Sequence, residues 1–280
     1  GKNSVELLVC ESNSYAEKLA EQINEFNTER RSLDLQATQE ALQIIKSDIK
    51  LVESKTTVVY RPDWHQGVVG IVASRLTDHY YRPTIVFTQS NGLITGSARS
   101  VKDFDIYDAI DYCSDLLEHF GGHKYAAGLS LKPEKLDAFR RKFEGYVSDH
   151  ITDDMLVPEI EVDLEINLNE INSKFFRILR QFAPFGPGNM APVFKTNGVI
   201  DTGYARIVGK NHLKLNVIHP EISSFIYPAI AFQQGDYLED IEKGSRFDIC
   251  FHLEENEWNG HYTLQLNIKD IKISDEVFGQ

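Results

Sequence analysis

The run Phe120-Gly121-Gly122-His123-Lys124-Tyr125-Ala126-Ala127-Gly128-Leu129-Ser130 places two glycines directly before a histidine. Glycine accepts crowded or left-handed backbone and lets a ligand reach bare N–H groups. Imidazole donates from one ring nitrogen and accepts from the other. Gly121, Gly122 and His123 therefore suit a ligand that approaches bare N–H groups, with a ring nitrogen free to accept or to bind metal; they equally suit a helix C-cap followed by a packed histidine. A second run, Trp64-His65-Gln66-Gly67-Val68-Val69-Gly70, opens a helix-like stretch that continues to Leu76. A phosphate can rest on such a helix start with His65 and the Gly67 N–H as donors. Alternatively, Gly67 and Gly70 simply allow a helix to pack closely on a sheet. In Gly96-Ser97-Ala98-Arg99-Ser100 a guanidinium stands between two hydroxyls. Its planar fork matches phosphate in a bidentate, charge-assisted contact, with Ser97 and Ser100 as weaker partners, although a strand-end arginine taken alone is more often a solvated charge. Arg75 and Arg82 read either as nucleic-acid contacts or as structural ion-pair partners.

The elements that must hold these groups follow from periodicity and punctuation. Residues 5–10 read as a short strand, and Ser14 as the N-cap of a helix carrying Leu19, Ile23 and Phe26. Residues 34–48 read as a second long helix. Residues 51–145 then interleave strand-like runs (56–60, 84–88, 93–98, 128–131) with helix-like runs (67–76, 106–119, 135–147). That alternation predicts an α/β domain. Residues 152–158, acidic and ending in proline, read as a linker. From Glu159 the pattern turns to a half-buried strand at 159–168, a basic helix at 172–182, and β-rich runs at 193–199, 204–208, 212–217, 224–231, 246–253 and 261–271. Asn259-Gly260 is a tight-hairpin signature between the last two. Many short strands with one helix predict a small β-barrel of the OB type.

The chain carries a net charge of −13, divided as −4 over residues 1–150 and −9 over 151–280. Residues 171–219 reverse that sign, with Lys174, Arg177, Arg180, Lys195, Arg206, Lys210 and Lys214 against the single acid Asp201. So acidic a chain is not a nonspecific polyanion binder. Nucleic-acid contact is expected in a confined groove, with basic side chains tracking the backbone and Phe185, Phe194 and Tyr204 stacking on bases. Cys10, Cys113 and Cys250 lack zinc-ligand spacing and read as reduced thiols of a cytoplasmic protein. No apolar run approaches the roughly 20 residues of a membrane span, so no membrane association is expected.

In order and spacing, the three glycine- and histidine-bearing runs resemble the DHHA1 domain of the DHH phosphoesterase superfamily. They are most similar to its RecJ-like members, single-strand-specific 5′→3′ exonucleases. Ala183-Pro184-Phe185-Gly186-Pro187-Gly188-Asn189, continuing through Pro192-Val193-Phe194, resembles the segment that opens the RecJ-like OB domain. The resemblance runs from about Val5 to Ile273 and departs at Met190, where RecJ-like chains often carry proline. It implies connecting segments from a DHH domain at residues 1–50, a mixed-sheet α/β DHHA1 domain at 51–152, a linker at 153–158 and an OB single-strand-binding domain at 159–280. It also implies that Arg99, Ser100 and His123 face the nucleotide, His123 assisting at the edge of the active site. The phosphate-binding set is then His65, Gly67, Ser97, Arg99, Ser100, Gly121, Gly122 and His123, with Lys174, Arg177, Arg206, Lys210 and Lys214 on the strand-gripping side. Single-stranded DNA is the implied partner, with a helicase and a single-strand-binding protein as further ones. Mn2+ or Mg2+ is implied for the full-length enzyme, and none for this part of it.

The DHH motif itself does not occur here: Asp78-His79-Tyr80 and Asp149-His150-Ile151 both lack the second histidine. Asp103-Phe104-Asp105, with Asp108 and Asp111, falls at a helix start, where carboxylates are ordinary caps. Two-metal phosphodiester hydrolysis needs several carboxylates around paired ions. The expectation is therefore the C-terminal portion of a DNA-repair and recombination exonuclease that binds but does not cut by itself. Two alternatives stay open: another DHHA1 phosphodiesterase acting on short oligonucleotides, and a non-enzymatic OB interaction module.

Overall fold

Residues 5–10 find no strand to pair with. Lys2–Val9 is instead a helix (α1) with no buried residue, laid against the next helix through hydrogen bonds from Asn3 to Gln22 and from Tyr15 to Glu6. That next helix (α2, Asn13–Ser47) is continuous where two were expected, and it starts from Ser12, not Ser14. Leu19, Ala37, Ala41 and Ile45 are buried along it, and tertiary packing of such a face carries a helix through locally indifferent residues. The computed structural model describes residues 2–222, 225–258 and 261–277. The chain divides into two units, Gly1–Pro158 and Glu159–Gln280.

After α3 (Ile49–Glu53), the first unit runs β1 (Thr57–Tyr60), α4 (Val69–Tyr80), β2 (Thr84–Ser90), β3 (Leu93–Arg99), α5 (Ile106–Asp111), β4 (His119–His123), β5 (Ala126–Leu131) and α6 (Leu136–His150). Its sheet has the order β1-β2-β3-β5-β4, with only the β1–β2 pair parallel. On one face Ile85, Phe87, Ala98 and Leu129 share a core with Ile106 and Ile110 of α5 and with Phe139 and Phe143 of α6. On the other face Val59 and Val86 pack against Val72, Ala73 and Leu76 of α4 and Ala41 and Ile45 of α2. Arg82 is buried; it bonds to the Thr57 hydroxyl and to the carbonyls of Leu51, Val52 and Ser54, which makes it a structural clamp.

The helix expected over 106–119 ends at Asp111, and a 3-10 turn at Ser114–Leu116 follows. His119-Phe120-Gly121-Gly122-His123, read as a helix end, is strand β4 at the sheet edge. The Glu118 N–H donates to the Ser130 carbonyl, and Phe120 turns inward against the core. Pairing with β5 thus overrides the helical propensity of Asp115-Leu116-Leu117-Glu118. Asp105 caps α5 by accepting from the Tyr107 and Asp108 N–H groups, as expected for its acids.

The second unit contains β6 (Leu164–Glu165), α7 (Ser173–Leu179), β7 (Phe194–Asp201), β8 (Arg206–Val208), β9 (His212–Ile218), β10 (Tyr227–Ala231), α8 (Leu238–Glu242), β11 (Ser245–Trp258) and β12 (His261–Val277). The strand expected over 159–168 shrinks to Leu164–Glu165, because Ile160, Val162 and Leu164 are exposed and only Ile166 and Leu168 turn inward. The sheet order is β6-β7-β11-β12-β10-β9-β8, and β7 also pairs with β9. Strands β7, β11, β12, β10 and β9 thereby form a closed ring of pairings around Leu215, Val217, Phe247, Phe251, Leu266 and Ile268. Helix α7 adds Phe175, Phe176 and Leu179 to this core. Asn259 and Gly260, where the hairpin turn is expected, lie outside the described residues. No helix among the described residues is long and apolar enough to cross a membrane.

Candidate nucleic-acid interface

The register of the first sheet lines up the sequence-predicted groups. Arg99, Ala126 and His123 are partners across β3, β5 and β4, and Ser97, Gly128 and Gly121 form the neighbouring row. Register partners and i, i+2 neighbours share a face, so Arg99, Ser97, Gly121 and His123 all lie on one side of the sheet. Helix α4 packs on β2 and β3, which leaves β5 and β4 uncovered beside it. The result is a cleft of about 670 Å3 between the start of α4 (Gln66, Gly67, Gly70) and the sheet, with Thr95, Ser97, His119, Gly128 and Ser130 among its lining residues.

The glycines here differ in kind. A Cβ on Gly96 would stand 2.4 Å from the Phe87 ring, so the core demands that glycine. Gly122 has φ of +156° and a Cβ there would meet the Ala126 carbonyl and Ala127, so its conformation demands it. Gly121 and Gly128 meet nothing within 4 Å; Gly128 lines the cleft, and Gly121 is its register partner on the same face. Of the Gly121-Gly122 pair, only Gly121 presents itself to a ligand on this face.

Arg99 is held from behind. Its Nε donates to Ser74 Oγ at 3.1 Å, and its Nη1 donates to Ser97 Oγ at 2.9 Å and to the Ala98 carbonyl at 2.7 Å. Burial lowers its pKa from the usual arginine value, yet a guanidinium remains charged throughout the physiological range. His65 and His123 share one arrangement: Nδ1 accepts an N–H from two residues ahead, Gly67 at 3.0 Å and Tyr125 at 3.3 Å. In the neutral ring the proton then sits on Nε2, which is left as the donor.

Several expectations need revision. The Gly67 N–H is committed to His65, and α4 begins at Val69 rather than Gly67. His65 lines a separate cavity of about 240 Å3 with Phe26, Arg30 and Leu33 of α2. Ser100 spends its hydroxyl on the Phe104 carbonyl at 2.8 Å, and its N–H on the Tyr125 carbonyl, and so shapes the loop. Arg75 is an ion-pair partner, 2.7 Å from the buried Asp34 of α2, which also lies 3.9 Å from Arg30. Sequence reasoning missed Ser74 and Gly128. Ser74 follows Gly70 by one helical turn, and Ala126, Gly128 and Ser130 alternate as small residues on one face of a strand; both patterns were available as signals.

In the second unit the basic residues do not share one groove. Arg177 of α7 and Arg180 just after it line a groove of about 320 Å3 with Ser173, Glu255 and Tyr262, where Arg180 pairs with Glu255 at 3.2 Å. Lys174 shares α7 but not that lining. Arg206 and Lys214 are register partners on β8 and β9, and Lys210 lies in the turn between those strands. Arg206 lies over the Tyr204 ring at 4.3 Å and donates to its hydroxyl at 2.7 Å. Phe194 is a core residue, 4 % exposed and packed on Phe175 and Phe251, so it stacks on no base. Phe185 and Tyr204 remain exposed side chains. Asn189 ties the preceding turn together by donating to the Phe182 and Pro184 carbonyls.

Among the described residues no three His, Cys, Asp or Glu side chains gather as a metal-ligand set. The residues present therefore do not fit a divalent-metal centre, and no chemical step is routed through one.

Comparison with known proteins agrees with this geometry. The family described as the DHHA1 domain matches residues 53–149, and the RecJ OB domain matches residues 162–270. The single-stranded-DNA-specific exonuclease RecJ of Bacillus subtilis is 34% identical over 97% of this chain and 34% of its own length. That of Haemophilus influenzae is 33% identical over 97% of this chain and 48% of its own length. The chain thus spans about a third to a half of these relatives. Crystal structures of Thermus thermophilus RecJ in complex with Mn2+ and with Mg2+ each superimpose with a TM-score of 0.78 at 26% identity. They cover 99% of this chain and 39% and 41% of theirs. A DHHA1 domain followed by a RecJ OB domain, matched by RecJ proteins along nearly its entire length, places this chain in the RecJ family.

Proposed function

We propose that this chain is the substrate-holding C-terminal portion of a single-stranded-DNA-specific 5′→3′ exonuclease acting in DNA repair and recombination. On this reading residues 51–152 are the DHHA1 domain and 153–158 a linker. Residues 159–280 are an OB domain whose ring of strand pairings is a closed barrel. Residues 1–50 connect to a DHH domain, which carries the Mn2+ or Mg2+ ions and the hydrolytic chemistry. The Thermus relatives, crystallised with those ions, support that division of labour. The carrying observation is the sheet face beside α4: a cleft lined by Gly70, Ser97 and Gly128, with Arg99 fixed by two serines, His123 in the same register row, and Gly121 and Gly128 bare on that face.

Arg99 and His123 hold backbone phosphates there, and Gly121 and Gly128 let the strand lie close to the sheet. In the second unit Arg206, Lys214 and Tyr204 grip single-stranded DNA, a base resting on the ring and phosphates on the cations. By itself the chain binds and does not cut. Its partner is single-stranded DNA in the cytoplasm, with a helicase and a single-strand-binding protein as associates of the whole enzyme.

Fluorescence anisotropy of the 280-residue chain with a labelled strand of about 20 nucleotides, at two salt concentrations and against duplex competitor, tests this. Salt-sensitive binding that duplex does not displace is expected. Absence of binding at low salt would favour a protein-binding role for the OB unit.

A further inference from the structure

Arg99 offers five N–H donors, and the structure accounts for most of them. Nε is taken by Ser74, and Nη1 by Ser97 and the Ala98 carbonyl. Nη2 has no partner among the described residues. It stands 3.1 Å from where a Cβ on Gly70 would be, and that position also lies 3.2 Å from Ser97 Oγ. Gly70 lines the cleft, so the uncommitted end of the guanidinium is the end at the cleft.

Ser74 is constrained as well. Its hydroxyl donates to the Gly70 carbonyl one turn earlier at 3.1 Å, so its proton is spent and a lone pair faces the arginine. The hydroxyl can therefore only accept from Nε. A carbonyl of α4 orients Ser74, Ser74 orients Nε, and the planar guanidinium then fixes the direction of Nη2.

We infer that Ser74 and Gly70 are positioning residues for Arg99. Ser74 sets the plane of the guanidinium from the helix side, and Gly70 keeps clear the space into which Nη2 delivers its hydrogen bonds to a phosphate oxygen. The inference rests on Arg99 being a phosphate ligand. It also gives Ser97 a second duty, since its oxygen accepts from Nη1 on the sheet side. A guanidinium freed from Ser74 keeps its charge but loses its fixed plane, and bidentate contact depends on that plane.

The test is strand affinity of the 280-residue chain at low salt for Ser74→Ala, Ser74→Thr, Gly70→Ala, Arg99→Ala and the Ser74→Ala/Arg99→Ala pair. Ser74→Ala is expected to weaken binding about fivefold, in keeping with loss of geometry without loss of charge. Ser74→Thr, which retains the hydroxyl, is expected to restore wild-type affinity. Gly70→Ala is expected to follow Ser74→Ala, because its new methyl presses on Nη2. In the Arg99→Ala background, Ser74→Ala is expected to add nothing, a coupling that a purely structural serine would not show. Wild-type affinity for Ser74→Ala, or full additivity with Arg99→Ala, overturns the positioning role while leaving Arg99 as a ligand. Unchanged affinity for Arg99→Ala overturns both.

Discussion

The two units offer cations to a ligand in opposite ways. In the first, Arg99 is half-buried and tethered by two serines and a carbonyl, and the histidines at positions 65 and 123 are each steered by their own backbone. In the second, the basic groups lie on the surface. Arg206 leans on an aromatic ring, whereas Arg180 and Lys195 are each shared with a glutamate. A tethered donor has little entropy left to lose and suits a ligand that must sit in one place. A loose one suits a polymer that slides. On the proposed reading, the difference separates a positioning site from a tracking surface within a single chain.

The sharpest way to break that comparison is to remove one cation from each side. Arg99→Ala should weaken strand binding by about 2 kcal/mol, roughly 30-fold, the scale of a preorganised charge-assisted contact. Lys214→Ala should cost only about threefold by anisotropy. Equal losses would erase the distinction.

The glycines allow a finer cut. Gly96→Ala should destabilise the first unit by about 2 kcal/mol in urea unfolding, since the new methyl overlaps Phe87 in a filled core. Gly128→Ala, facing open space, should leave the unfolding midpoint in place yet reduce strand affinity. A lowered midpoint for Gly128→Ala would mean that its bareness serves packing rather than a ligand.

On the tracking surface, Tyr204→Ala should cost about 1 kcal/mol of affinity, the low end for one stacked base, with no change in the dependence on salt. Arg206→Ala should reduce that dependence instead. The smallest effect concerns Cys113, whose thiol burial pushes up to about 12. The folded protein favours the neutral thiol, so the stability it contributes is intact below the unfolded value near 9.0 and is lost as pH rises towards 12. Iodoacetamide at pH 8 should therefore leave Cys113 unmodified in the native chain, as intact-mass measurement would show.

Much of this could be read from residues alone. The alternation of strands and helices in the first unit and the β-rich second unit follow from periodicity, and Gly-Ser-Ala-Arg-Ser marked the arginine. What escaped was non-local. The strand at His119–His123 depends on pairing with β5, which no local propensity encodes against a helix-favouring lead-in. The failure at Leu164 is the converse, an alternating pattern whose apolar side has no core to enter. Phe194 looked like a stacking ring because position in a motif says nothing about which side of a strand faces inward. Ser74 was invisible as a partner of Arg99 because 25 residues and the whole of strand β2 separate them.

The buried Asp34 has a mechanical meaning. It fastens α2 to α4 through Arg75, and α4 carries both Gly70 and Ser74. From Asp34 to Asn13 the helix extends about 32 Å, so any tilt about the ion pair would have a long arm. A tilt of about 5° moves the far tip of α2 by about 3 Å, while the same rotation at the pivot displaces the α4 side chains by only fractions of an ångström. Were α2 to tilt about that point, coarse movement of its tip would reach the arginine at the cleft only as fine adjustment.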